Sequence, residues 1–170
     1  MSDSAVTSIL FVCLGNICRS PLAEGVFAHL ANQADVDVRV DSAGTGSWHV
    51  GERPDSRALA VARAHGVELP GHARQVSPND MSDFDYVIAM DRSNLAHLAA
   101  LRRSSHGSAR LHLLREFDPE AGRNKDVPDP YYGRRRGFEE CFRIVERSCR
   151  GLLESFNHPP AHAPSGESPR

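Results

Sequence analysis

The chain has 170 residues, 40% of them hydrophobic and 25% charged, with a formal net charge of -2. This suits one globular domain with a core of its own, and it speaks against a nucleic-acid binder, which needs a strong basic excess. No apolar run reaches membrane-spanning length, and the N-terminal MSDSAVTSIL lacks the basic region and apolar length of a signal peptide, so a cytoplasmic protein is expected.

Residues 9–12 form a continuous apolar run and read as a strand buried on both faces. A loop over 13–19 follows. Ser20 can then N-cap a helix with Pro21 at its first position, and Leu22, Val26, Phe27 and Leu30 supply the apolar face. Val36, Val38 and Val40 alternate with Asp37 and Arg39, the pattern of a half-buried edge strand. SAGTGSWHVG reads as a loop, and a helix over about 56–65 is stopped by Gly66. FDYVIAM (84–90) is a third, mostly apolar strand, followed by a helix over about 93–101. Leu111 and Leu113 alternate with Arg110 and His112 in a fourth strand. A long loop then leads to a last helix carrying Phe138, Cys141, Phe142, Val145, Cys149 and Leu152 at three- and four-residue steps. The Pro-, His- and Ser-rich segment 158–170 reads as a disordered tail behind a single domain over 1–157.

Strands alternating with helices predict an α/β fold: a three-layer sandwich with a four-stranded parallel sheet and helices on both faces. The continuous strands belong in the centre and the alternating ones at the edges. Right-handed crossovers then favour the order 2-1-3-4, and ligands bind at the carboxyl ends of the strands, at the switch point between strands 1 and 3. The loop CLGNICR falls there.

A loop between a buried strand and a helix N-terminus can aim backbone N–H groups and the helix dipole at one anion. Gly15 permits close approach or a positive φ, and the fork of Arg19 can hold two phosphate oxygens. The Gly-Lys-Ser/Thr of a nucleotide loop is absent; a cysteine opens the loop instead. A field that binds phosphate favours a thiolate, so Cys13 is expected as a nucleophile that attacks phosphorus. Ser20 can donate a hydrogen bond to its sulfur. Metal binding by Cys13 and Cys18 lacks a second ligand pair at suitable spacing, because Cys141 and Cys149 sit on a core stripe. The four cysteines are too few for a disulfide scaffold.

CLGNICRS with DPYYG late in the chain resembles the low-molecular-weight protein tyrosine phosphatases, as do DSAGT (41–45), GHARQV (71–76) and MDRSNL (90–95). The likeness runs over about 9–156, and SAGTGSWHVG looks most like the bacterial, particularly actinobacterial, branch. The resemblance implies Cys13 as nucleophile, Arg19 as phosphate clamp and Asp129 as general acid and base. Asp129 also follows strand 4, whose loop overhangs the same sheet end, between the stiffening Pro128 and Pro130. By resemblance the phosphate-binding loop comprises Leu14, Gly15, Asn16, Ile17, Cys18 and Ser20, with Asn16, Ser42 and His72 in a supporting network. Trp48, Tyr131 and Tyr132 would wall a cleft deep enough for a phosphotyrosine ring and too deep for phosphoserine. The implied partners are phosphotyrosine proteins or peptides and phosphate- or vanadate-like anions, with no metal or other cofactor, no nucleic acid and no membrane.

Alternatives stay beside these readings. Cys18 is either a packing residue or, as the resemblance suggests, a reversible disulfide partner of Cys13. Asp91 reads as a loop-fixing residue rather than a catalyst. Arg134, Arg135 and Arg136 either attract acidic phosphopeptides or form a solvated loop. A thiol-dependent arsenate reductase shares this fold, but that chemistry needs further cysteines, and none occurs over 77–92. Phosphoarginine phosphatases of the family carry Thr where this chain has Ile17 and lack the paired tyrosines.

Overall fold

The computed structural model describes residues 6–131, 133 and 135–157, with the backbone alone for Arg135. Tyr132, Arg134 and the segment 158–170 lie outside the described residues, so the cleft role of Tyr132 and the reading of the tail are not addressed by it.

Strand β1 (Thr7–Cys13) is central because its side chains are apolar on both faces. It pairs in parallel with β2 (Val38–Gly44) on one side and β3 (Tyr86–Ala89) on the other, and β4 (Arg110–Leu113) completes the sheet. The order is β2-β1-β3-β4, as the patterning predicts. Ile9, Phe11 and Ile88 face a core shared with α1 (Arg19–Gln33), α2 (Ser56–Ala64) and α5 (Arg135–Asn157). Leu10, Val12, Val87 and Ala89 face the other way, toward Met81 of the short α3 (Asp80–Asp83) and Leu98 of α4 (Arg92–Ser105). The two-residue period of the strands thus yields three layers.

Several local expectations change. Helix α1 starts at Arg19, one residue before the expected cap; Cys18 is its N-cap and provides no side-chain bond. The Ser20 hydroxyl is withdrawn from capping because it faces the Cys13 sulfur at 3.0 Å. Pro21 still falls in the first turn, where its missing N–H costs nothing. The left-handed residue of the loop is Asn16, at φ 59, not Gly15; asparagine tolerates that region because its short amide bonds locally. Helix α4 begins one residue early and ends four residues later than expected, capped by a reciprocal Asp91–Asn94 pair and closed by His106 at φ 57. The short α3 and a 3-10 turn at Leu114–Phe117 lie in stretches without helical periodicity. Gly66, at φ 77, follows the end of α2 as expected.

Candidate active site

The loop after β1 is shaped from the end of β2. Thr45 N–H donates to Cys13 O and Gly46 N–H to Leu14 O, both at 2.9 Å. Gly44 makes that approach possible: a Cβ there would lie 2.8 Å from the Leu14 carbonyl oxygen. Inside the loop, Asn16 N–H points at Cys13 Sγ, 3.3 Å away. The Asn16 side-chain amide donates to Ser20 Oγ at 2.8 Å and Ser42 Oγ at 3.0 Å, and its oxygen accepts from the Arg74 backbone N–H at 3.0 Å. The amide therefore holds the left-handed turn from both ends.

The network differs from the expected one at two positions. His72 is exposed and makes no hydrogen bond among the described residues. Its segment runs beside the end of β2 through the Gly44–Gln75 bridge, which turns the Arg74 backbone, rather than the His72 ring, toward Asn16. At the far end stands Glu24, which the sequence reading passed over: Ser42 Oγ donates to Glu24 Oε1 at 2.6 Å. Its signal was the four-residue step from Ser20 to Glu24 along α1. Burial pushes the Glu24 carboxyl up to about 7, with Ser42 and Arg74 acting against the rise and Asp41 adding to it.

Arg19 is 3% exposed and its direction is set by three groups. Its Nη1 donates to Asp91 Oδ2 at 2.8 Å and to Val127 O at 3.0 Å; its Nη2 lies 3.5 Å from Asp129 Oδ2. Burial works against the guanidinium charge, but Cys13, Asp91 and Asp129 outweigh it, so the Arg19 pKa is raised. Asp91 therefore does fix structure, both as the cap of α4 and as the brace of Arg19. Val127 N–H bonds Met90 O at 2.8 Å, which ties the long loop to the end of β3 and brings Asp129 over the sheet. The Asp129 carboxylate also accepts Tyr131 N–H at 3.1 Å.

These groups meet in a cleft of roughly 290 Å3 lined by Cys13, Leu14, Gly15, Ile17, Cys18, Arg19, Trp48, His49, Asp129 and Tyr131. Cys13 lies at the end of β1 and is 2% exposed, whereas Trp48 is 70% exposed at the rim. His49 is a further lining residue that its position beside Trp48 could have flagged. Its ring lies 6.0 Å from Tyr131 at 55°, and its Nδ1 is 2.9 Å from Glu52 Oε1.

All four cysteines are free. Burial, then Asp55 and Cys13, push the Cys18 thiol well up, so it is protonated at neutral pH. Burial also pushes Cys141 up to about 12, and it raises Cys149 on the same stripe of α5.

The family model described as low molecular weight phosphotyrosine protein phosphatase matches residues 8–160. A low-molecular-weight protein-tyrosine-phosphatase of Streptomyces coelicolor is 48% identical over 148 residues, covering 85% of this chain and 90% of its own. The crystal structure of YfkJ from Bacillus subtilis superposes with a TM-score of 0.83 at 39% identity, covering 92% of this chain and 98% of its own. A structure described as DARP, Drosophila arginine phosphatase, gives a TM-score of 0.85 at 33% identity, covering 89% of this chain and 99% of its own. With the fold, the cleft and these relatives in agreement, the chain belongs to the low-molecular-weight phosphotyrosine protein phosphatases and is a phosphoric monoester hydrolase.

Proposed function

We propose that this enzyme hydrolyses phosphotyrosine in proteins or peptides through a cysteinyl-phosphate intermediate. The observation that carries the reading is the convergence of Cys13, Arg19 and Asp129 on one cleft, with Arg19 Nη2 3.5 Å from Asp129 Oδ2. The Cys13 thiolate attacks phosphorus, forming the S–P bond as the P–O bond to the tyrosyl ring breaks. Asp129 delivers its proton to the departing oxygen. The Asp129 carboxylate then takes a proton from water, whose oxygen attacks phosphorus; the S–P bond breaks and the thiolate is restored with release of inorganic phosphate. The loop N–H groups and Arg19 hold the phosphoryl oxygens throughout. Asp91 and Val127 O engage Nη1 from one side, which fixes the fork before substrate arrives and removes the cost of ordering a long side chain.

Hydrolysis of p-nitrophenyl phosphate and of a phosphotyrosine peptide, with EDTA present, tests this. Cys13→Ser is expected to abolish turnover; full activity in that variant sinks the mechanism. Asp129→Ala is expected to slow the peptide by ~10²–10⁴-fold, the range of general acid–base help.

A phosphoarginine substrate is the second reading, because DARP is described as an arginine phosphatase. Ile17 at the cleft wall favours an aromatic ring over a guanidinium. Faster hydrolysis of phosphoarginine than of phosphotyrosine would overturn the preference.

A further inference from the structure

Arg57 stands outside the cleft lining, yet it donates to two backbone carbonyls of the segment just after Asp129. It occupies the second position of α2, two residues after the N-cap Asp55. The Asp55 carboxylate accepts Arg57 N–H at 2.8 Å, Nε at 3.0 Å and Nη2 at 3.0 Å. The hydrogen bond from Arg57 holds the Asp55 carboxyl below the usual range despite partial burial. The guanidinium is thus locked in orientation, and its outer edge donates to Tyr131 O at 3.0 Å and Gly133 O at 3.3 Å. Its plane also covers the Phe138 ring at 4.6 Å and the Tyr131 ring at 5.7 Å.

Both ends of this strap lead to reacting groups. On one side, Asp55 N–H donates to Ile17 O at 2.8 Å, inside the phosphate-binding loop. On the other, Tyr131 N–H donates to Asp129 Oδ1 at 3.1 Å. Asp55 and Arg57 therefore join the nucleophile loop to the acid loop through two residues of one helix start. Pro128 and Pro130 have no N–H with which to anchor the acid loop, so it is tied through Val127 before Asp129 and through the Arg57 contacts after it.

We propose that Arg57 is a positioning residue for Asp129: it holds the acid loop at a set distance from the phosphate-binding loop, so that the carboxyl reaches the leaving oxygen. A lysine cannot do this, since one ammonium does not span two carbonyls and a carboxylate in a fixed plane. The inference rests on the reading of Asp129 as the general acid.

The test is the dependence of kcat/KM on leaving-group pKa across phenyl phosphates of graded acidity, with thermal melts to monitor folding. Poor leaving groups need the proton and good ones need it less. Arg57→Ala is therefore expected to lower kcat/KM about tenfold for phenyl phosphate and about threefold or less for p-nitrophenyl phosphate. The vanadate inhibition constant is expected to move less than about twofold, because Arg19 keeps its own braces. In an Asp129→Ala background the same substitution is expected to change kcat/KM by less than about twofold, since the two act as one unit. Equal losses for all esters, an undiminished loss in that background, or no loss at all overturns the proposal. Should Arg57→Ala fail to fold, Arg57→Lys serves: a steepened leaving-group dependence supports the clamp, and wild-type dependence overturns it. If Asp129→Ala itself leaves phenyl phosphate turnover unchanged, the general-acid reading fails on its own, whatever Arg57 does.

Discussion

The Cys13 sulfur does not work alone, and the residues behind it are as informative as the loop. Ser20, Asn16, Ser42 and Glu24 form a continuous hydrogen-bonded chain away from it, at 3.0, 2.8, 3.0 and 2.6 Å in turn. Glu24 ends that chain with a carboxyl whose pKa is raised from 4.5 to about 7 by burial. In the unfolded chain it ionises near its ordinary value, so between about pH 4.5 and 7 the native state binds the extra proton. Stability is therefore greatest below pH 4.5 for this group and falls as pH rises through 7. Its partial exposure and the nearby Arg74 limit the effect to on the order of 1–2 kcal/mol. Glu24→Gln is expected to flatten the decline in denaturant midpoint between pH 5 and 7; an unchanged slope would show that Glu24 does not titrate there. Cys18 carries a different message. Its raised thiol pKa makes it a slow attacker at neutral pH, and it is buried in the core cluster that also holds Cys13.

At the scale of elements, α5 does more than cover the sheet. Its Phe138 supports the Arg57 guanidinium, and its Arg147 donates to the buried Asp118 at 2.7 and 3.1 Å. Burial opposes the Asp118 charge, but Arg147, the Glu120 amide and Arg115 hold the carboxyl below the usual range. That anchor fixes the start of the long loop whose end carries Asp129. The helix reaches the 3-10 turn closely because residue 151 is glycine: a Cβ there would overlap the Phe117 carbonyl oxygen. The obstruction is backbone, which cannot rotate away. Gly151→Ala is expected to destabilise the fold by about 1–3 kcal/mol, the usual cost of overpacking, and to lower Tm by several degrees. An unchanged melt would mean that α5 shifts freely over the turn.

At the scale of the whole molecule, the site is a product of topology. The end of β1 and the segments after β2, β3 and β4 meet at one sheet end, contributing Cys13, Trp48, Asp91 and Asp129. Their mutual position therefore depends on the entire sheet, and an anion held by the loop N–H groups and Arg19 is expected to stabilise the entire fold. Orthovanadate at about 100 times its dissociation constant is expected to add ~2.7 kcal/mol. For a domain of this size that corresponds to a rise in Tm of roughly 5–10 °C. Arg19→Ala is expected to erase the shift, and a shift that survives it would place the anion elsewhere.

How much of this was legible beforehand follows from the range of each interaction. Patterns with a period of two or 3.6 residues report burial directly, so the four strands, their order and the core faces of α1 and α5 could be read from one chain. Cys13, Arg19 and Ser20 were legible because they sit in a single short loop, and Asp129 because of its resemblance and its place after the fourth strand. By itself the sequence determined the sheet and its order, and it placed Cys13, Arg19 and Ser20 in one short loop at the end of β1. The tertiary structure decided the rest: the brace of Arg19 by Asp91, 72 residues away; the exchange of His72 for the Arg74 backbone; Glu24 behind Ser42; and the Arg57 link to a loop 74 residues downstream. These contacts are made between segments with no shared period and no fixed spacing. The Arg57 link depends on a backbone carbonyl, and all four depend on the few ångströms by which packed elements approach, which the order of side chains along the chain does not record.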